Sequence, residues 1–475
     1  MADDHRPTDE PMEDEFLNED EAAEEFIPDD NDMQMDSDPE DEEVLLHNDS
    51  IAYFDQHRDS VFCIAQHPVH PVLIATGGSE GDADDAPGKG YLLDVSSAPS
   101  RPVLPKSFLA DPAAPAETPA LAPLFSIDGH ADSISALAFT LPRGQFLVSG
   151  GMDGRVRLYA VGVQPDAPVK FKWLAEAAEV PEVNWISACP DPANPHTFAV
   201  GASDGSVWVY TVNPRDKANP LQIVNTYYLH TGSCTAGAWT PDGKLLATVA
   251  DDSSLYVWDV FGAAAAHGIT AENGMSVVSL TGADQRFEVE GGLYSLAVDP
   301  KGAFLAAGGA GGAIRIVSLP RLGTTPSEVS PGGQILASLQ TLKDAVEALA
   351  FSEPVAGAGS AQITLLAAGC VDGTIAVFDG SRRFAVRRTL PGAHEDFSVV
   401  KVEFVPGSWL LTSCGMDGVV RRWDLRAAAE QSLVKEWKGH RGDGEGGGVM
   451  GFVQGQTGER VVTAGDDGLV LVFEA

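Results

Sequence analysis

Two stretches of this 475-residue chain have the G-x-S-x-G spacing that presents a serine nucleophile: Gly77-Gly-Ser79-Glu-Gly81 and Gly201-Ala-Ser203-Asp-Gly205. That spacing does acyl chemistry only where a strand turns sharply into a helix and strain pushes the hydroxyl outward. Both stretches instead sit in turns between strand-like segments, and related stretches carry Met, Val or Asp where Ser203 stands. They read as turns. Gly88-Lys89-Gly90 lacks the earlier glycine and the following Ser/Thr of a phosphate loop. His394-Glu395 is not followed by the second histidine of a zinc helix, and the eleven histidines scatter singly. The five cysteines (Cys63, Cys189, Cys234, Cys370, Cys414) lie far apart with no CxxC pair, which argues against a zinc site or a disulfide framework and suits a reducing compartment. No catalytic constellation, cofactor or metal site is nominated.

What remains is charge. The formal net charge is −39, from 69 acids against 30 bases. Such a surface repels phosphate backbones and anionic lipid, so nucleic acid and membranes are poor partners and a basic protein segment a good one. Residues 1–50 hold 22 acids against the single base Arg6, leaving 47 acids and 29 bases in the other 425 residues. A segment this acidic cannot bury enough apolar surface to offset its ordering entropy, so residues 1–48 are expected to form a disordered tail. Phe16-Leu17, Phe26-Ile27 and Val44-Leu45-Leu46 punctuate it and are either docking pairs or incidental. The N-terminus has no signal-peptide pattern, and no apolar run reaches the ~18–20 residues of a membrane span.

From Ile51 onward the chain repeats itself. Val148–Tyr159, Val200–Tyr210 and Ala368–Phe378 each read as a short apolar strand, an Asp-Gly turn and an alternating strand. The unit recurs at Thr248–Trp258, Ser413–Trp423 and Thr463–Phe473, with a degenerate copy at Ala307–Val317 and a first copy, Thr76–Leu93, carrying an acidic insertion. Each unit follows another strand pair, often led in by a histidine. Four short strands repeated radially make a β-propeller, here all-β with eight blades over residues 49–475, whose ring is closed by strand 51–55. The Pro/Ala-rich residues 96–123 and the Ala/Gly-rich residues 261–275 are expected to be excursions of low order.

These units resemble WD repeats, on the strength of Trp258-Asp259, Trp423-Asp424, Gly129-His130 and Gly439-His440. The resemblance implies a hydrogen-bonded network of His, Ser/Thr, turn Asp and Trp within a blade. It is complete twice, as His230, Thr248, Asp252, Trp258 and as His394, Ser413, Asp417, Trp423. It also implies that the histidine loops and the Asp-Gly turns open on one face, the top. Glu80, Asp82, Asp84, Asp85, Glu182, Asp251, Glu290, Asp344, Glu347, Glu395, Asp396, Asp443, Glu445 and Asp466 align to that rim, with Trp185 beside Glu182 as a cation–π surface. An acidic funnel of this kind captures Lys/Arg-rich peptides.

Beyond the repeat, the body resembles the subfamily of angio-associated migratory cell protein and its fungal counterpart, a ribosome-assembly chaperone. The resemblance rests on Asp55–Cys63 following the acidic tail, the Gly77-Gly78 turn, Glu182-Val-Asn-Trp185 and the unit Gly415–Asp424, and the inserts depart from it. It implies a non-enzymatic chaperone that captures the basic N-terminus of a newly made large-subunit ribosomal protein (eukaryotic number ten, universal number sixteen) and helps deliver it to pre-60S particles. A cytoplasmic monomer is expected, with nuclear entry left open. Two rivals stand beside this reading. Trp423-Asp424-Leu425-Arg426 fits the W-D-x-R pattern of substrate receptors for cullin-four ubiquitin ligases, and a generic acidic scaffold or histone-type chaperone would accept any basic protein.

Overall fold

A computed structural model describes residues 48–81, 86–100, 118–164, 167–323, 325–356, 362–442 and 447–475. Eight four-stranded antiparallel sheets follow one another as the blades of a propeller. Blade 1 comprises Cys63–Gln66, Leu73–Ser79, Gly88–Asp94 and Pro123–His130; blade 2 Ile134–Phe139, Phe146–Gly151, Val156–Gln164 and Ala167–Ala177. Blade 3 runs Val183–Ala188 to Leu221–Tyr227, blade 4 Cys234–Trp239 to Ser276–Leu280, and blade 5 Leu293–Val298 to Ile335–Gln340. Blade 6 starts at Val346–Phe351 and ends at Ala385–Leu390, with a small hairpin, Val355–Ala356 against Gln362–Ile363, inserted after its first strand. Blade 7 spans Val399–Phe404 to Leu433–Trp437. Blade 8 takes three strands from Val449–Glu474 and its fourth from Ala52–Phe54, which pairs with Val470–Val472. The innermost strands contact one another in order, and Cys63–Gln66 meets Val449–Val453 to complete the circle. Residues 1–47, on which the acidic tail falls, lie outside the described residues, as do 101–117. Residues 261–275, expected to be of low order, instead form a defined turn: Asp259 accepts the Ala265 N–H at 2.7 Å and Ala264 is buried. The carboxylate at the strand end, not the Ala/Gly composition, decides that loop.

One sequence position repeats in every innermost strand: Val61, Ile134, Val183, Cys234, Leu293, Val346, Val399 and Val449, all buried. These side chains fill the wedge between blades, where each apolar residue contributes about 1.5–3 kcal/mol by leaving water. In blades 2–8 the next residue is a bulge, for example Ser135 between Ile134 and Ala136 or Glu347 between Val346 and Ala348. A bulge re-aims its side chain out of the pleat. Here it points that side chain toward the neighbouring blade: Ser135 donates to Val183 O at 2.5 Å, Asn184 to Cys234 O at 2.9 Å, and Thr235 to Leu293 O at 2.7 Å. The seams are therefore stitched by side-chain-to-backbone bonds as well as packed.

Candidate functional site

The rim at the start of the innermost strands has a fixed construction. In blades 2–8 the residue before the turn acid, or its equivalent, gives its N–H to the carbonyl of the residue immediately before the innermost strand. These bonds run from Met152 to Ser133, Ser203 to Glu182, Asp251 to Ser233, Ala310 to Gly292, Val371 to Ala345, Met416 to Ser398 and Asp466 to Gly448, at 2.9–3.2 Å. Ser79 makes the same bond to Ser60 in blade 1 at 3.1 Å. Turn, strand start and bulge thus surround one mouth. Asp251 and Asp466 occupy turn positions, Glu182 a strand start, and Glu347 a bulge. Glu290 and Asp344 lie on the loops leading into the innermost strands of blades 5 and 6, and Glu395 and Asp396 end the short extended segment Ala393–Asp396 that precedes the innermost strand of blade 7.

Glu182, Asp251, Glu290, Asp344, Glu347, Glu395 and Asp396 are exposed, and Asp466 is half-buried. Among the described residues none of these eight is in an ion pair; Glu347 accepts only from Ser398 Oγ, at 3.0 Å. Like charges gathered without counter-charges repel one another, and a cationic ligand relieves that repulsion as it binds. Glu395 holds φ at +54°, a conformation glycine adopts more easily, so its side chain leaves the loop in a set direction.

Several expectations change. Gly77, Gly78, Ser79 and Glu80 correspond to Gly150, Gly151, Met152 and Asp153, so Glu80 stands where other blades carry the turn acid, and Arg58 pairs with it at 3.3 Å. It is therefore the least available of the nominated acids. Trp185 does not stand free beside Glu182. Its indole N–H donates to Cys234 O at 3.1 Å, and its ring packs on Gly201 and Gly237, where an added Cβ would approach to 2.1 and 2.0 Å. Asp344 caps the Ala345 N–H at 2.7 Å, and Asp466 accepts the Ser60 hydroxyl. Asp82, Asp84, Asp85, Asp443 and Glu445 lie outside the described residues. Neither serine stretch turns into a helix: Ser79 is followed by strand Gly88–Asp94 and Ser203 by Val207–Val212.

The blade networks hold this rim. His394 bonds Asp417 and Ser413, each at 2.8 Å, and Trp423 donates to Ser413 at 2.9 Å. In blade 4 the expected direct bond from His230 to Asp252 is replaced by a relay, because Ser254 intervenes between Nδ1 and the carboxylate. Thr248 still joins the other two: its hydroxyl accepts from Trp258 and donates to His230 Nε2, each at 2.8 Å. In blade 1, His57 meets Thr76 at 3.0 Å, but its Nδ1 has no partner among the described residues. Burial, helped by Lys89, lowers the His57 pKa from 6.5 to about 4, and burial lowers that of His230 to about 4. Both rings are neutral when folded, so the unfolded chain binds more protons as pH drops below 6.5. Their stabilisation is complete above pH 6.5 and is lost as pH falls toward 4. At pH 5 each costs about 2 kcal/mol. Chemical denaturation at pH 7 and pH 5 should show this fall, and His230→Asn should flatten it; equal stability at the two pH values would contradict it.

Two segments, residues 121–160 and 221–259, match the model of the WD domain, G-beta repeat. A crystal structure of Chaetomium thermophilum Sqt1 bound to the N-terminus of the ribosomal protein L10 is 60% identical, covering 90% of this chain and 100% of that one with a TM-score of 0.80. The chain belongs to the Sqt1 family. The ribosome assembly protein SQT1 of Saccharomyces cerevisiae is 28% identical over 94% of this chain and 91% of its own length. Human angio-associated migratory cell protein is 23% identical over 90% of this chain and 80% of its own. Within this Sqt1-family fold, the W-D-x-R arginine is already engaged: Arg426 Nε and Nη2 clamp Asp424 at 3.0 and 2.8 Å. No helix among the described residues is long and apolar enough to cross a membrane.

Proposed function

We propose that this protein is a ribosome-assembly chaperone whose acidic mouth captures the basic N-terminal segment of ribosomal protein L10. The observation that carries the reading is the 60% identity, over the whole of its length, to an Sqt1 crystallised with that segment. The unpaired carboxylates at Glu182, Asp251, Glu290, Glu347, Glu395 and Asp396 supply the physical means. A newly made ribosomal protein is cationic and adheres to any RNA. The mouth substitutes for rRNA by occupying the same Lys and Arg groups, and the denser charge of rRNA in a pre-60S particle draws the client away. Each step is binding and release, so no group need act as a catalyst. The chain does this work in the cytoplasm, where the client is synthesised.

The test is calorimetric titration of the full chain with the L10 N-terminal peptide at two salt concentrations, beside a scrambled peptide of equal charge and a histone tail. Submicromolar binding of the authentic peptide, weakened by salt, is expected, with the controls at least tenfold weaker. Equal binding of all three would reduce the protein to a general acidic sink.

A further inference from the structure

The mouth is acidic, but not uniformly polar beneath its acids. Aligning the innermost strands on their pairing with the second strands places Val400 of blade 7 and Met450 of blade 8 at the bulge position of Glu347 in blade 6, and Phe62, the residue just before the innermost strand of blade 1, at the equivalent place. The turn position adds Val371 in blade 6 and Met416 in blade 7, since their N–H groups make the rim bond described above. All five are half-buried, so each keeps part of its apolar surface in water.

Across the ring the corresponding bulges carry Ser135, Asn184 and Thr235, whose polar groups are already spent on the next blade's carbonyls. The bulge positions therefore divide into a stitched polar arc over blades 2–4 and an apolar arc over blades 7, 8 and 1, with Tyr294 and Glu347 between them in blades 5 and 6; at the turn position blade 2 is apolar as well, through the exposed Met152. Acids frame the apolar arc: Glu347 and Asp396 before it, Asp466 within it. Met416 lies across the seam of blades 7 and 8, because a Cβ at Gly448 would come within 2.6 Å of its sulfur. Unbranched thioethers adapt to varied shapes, and the flanking carboxylates demand that the occupant be cationic on either side.

We infer that Phe62, Val400, Met416 and Met450 form a specificity subsite for one aliphatic or aromatic side chain flanked by Lys or Arg in the captured segment. This rests on the capture reading above and goes beyond it. Charge alone draws any basic peptide; the apolar arc distinguishes those with an apolar residue in register.

The experiment uses the full chain and two synthetic peptides with identical Lys and Arg content, one with a central Tyr and the other with Gly there. The Tyr peptide is expected to bind about 10- to 100-fold more tightly. Because the difference is apolar, the ratio should persist in high salt while both affinities fall. Met450→Ser and Phe62→Ser, made separately and checked by thermal melting, should each bring the ratio toward one. Equal affinity of the two peptides, or a ratio untouched in both folded variants, would overturn the subsite while leaving the charge-driven capture intact. Failure of both peptides to bind would instead overturn the capture reading and the subsite with it.

Discussion

Glu347→Lys is expected to weaken binding of the L10 N-terminal segment about 100-fold at low salt. Glu347 leaves the strand at a bulge, is exposed at the mouth, and is held by a single bond from Ser398. A cation about 4 Å from it gains roughly 1–4 kcal/mol, depending on how much water separates them. Reversal removes that attraction and replaces it with repulsion of similar size. Glu347→Gln removes only the attraction and should cost about tenfold. Since nothing in the fold depends on the carboxylate beyond one exposed bond, unfolding free energy should move by no more than about 0.5 kcal/mol. Glu353→Lys is the control: it alters net charge equally, but lies in the loop after the innermost strand of blade 6, at the opposite end of that strand. If Glu353→Lys weakens binding as much as Glu347→Lys, total charge rather than the mouth governs capture. A Glu347→Lys effect of less than twofold would remove the mouth from the mechanism.

Repeat proteins announce their architecture because each unit restates the same local rules. Alternating strands, Asp-Gly turns and the Trp-Asp dipeptides led to eight sheets. The site was harder to read. Alignment put Asp251, Glu347 and Glu395 at the rim, where the structure also has them, since rim position follows directly from place within the unit. It misjudged Trp185, because whether an aromatic faces solvent depends on what stands across the seam. Two glycines on adjacent strands, Gly201 and Gly237, make room for that indole, and no single repeat contains both. Glu80 lies in the first blade's turn, as alignment had it, but its pair with Arg58 comes from a different loop and has no counterpart in the other repeats. The apolar residues of the rim are not legible in any one repeat, because the bulge column Ser135, Asn184, Thr235, Tyr294, Glu347, Val400 and Met450 shares no residue type.

The largest effect on stability is expected from Asp417→Ala. Asp417 is 7% exposed and Arg421 8%. One carboxylate oxygen accepts His394 Nδ1–H at 2.8 Å and the Val419 N–H at 3.2 Å; the other receives the Arg421 guanidinium. One set of protons satisfies the histidine, serine and tryptophan, with Arg421 Nη1 lying 3.0 Å from the same His394 Nδ1. Trp423 donates to Ser413, whose hydroxyl then donates to His394 Nε2, leaving Nδ1–H for Asp417. Burial by itself would raise the Asp417 pKa, yet the hydrogen bond from His394 and the charge of Arg421 outweigh it and hold the pKa below 3.8. Alanine leaves His394 Nδ1–H without its acceptor and Arg421 with only Glu436, at 2.8 Å, as counter-charge. Removing one member of a buried ion pair strands the other, at a cost of about 3–5 kcal/mol. Asp252→Ala in blade 4 supplies the comparison. There Ser254 stands between the histidine and the acid, and Thr231 is the other partner, so no buried cation is stranded and about 1–2 kcal/mol should be lost. Eight stacked blades need not unfold in one step, so the readout is amide exchange along Leu410–Gly415 and Val420–Asp424 together with denaturant midpoints. Faster exchange confined to blade 7 and its neighbours would locate the loss where the network is. If Asp417→Ala costs no more than Asp252→Ala, the guanidinium finds another partner and blade 7 does not depend on this aspartate.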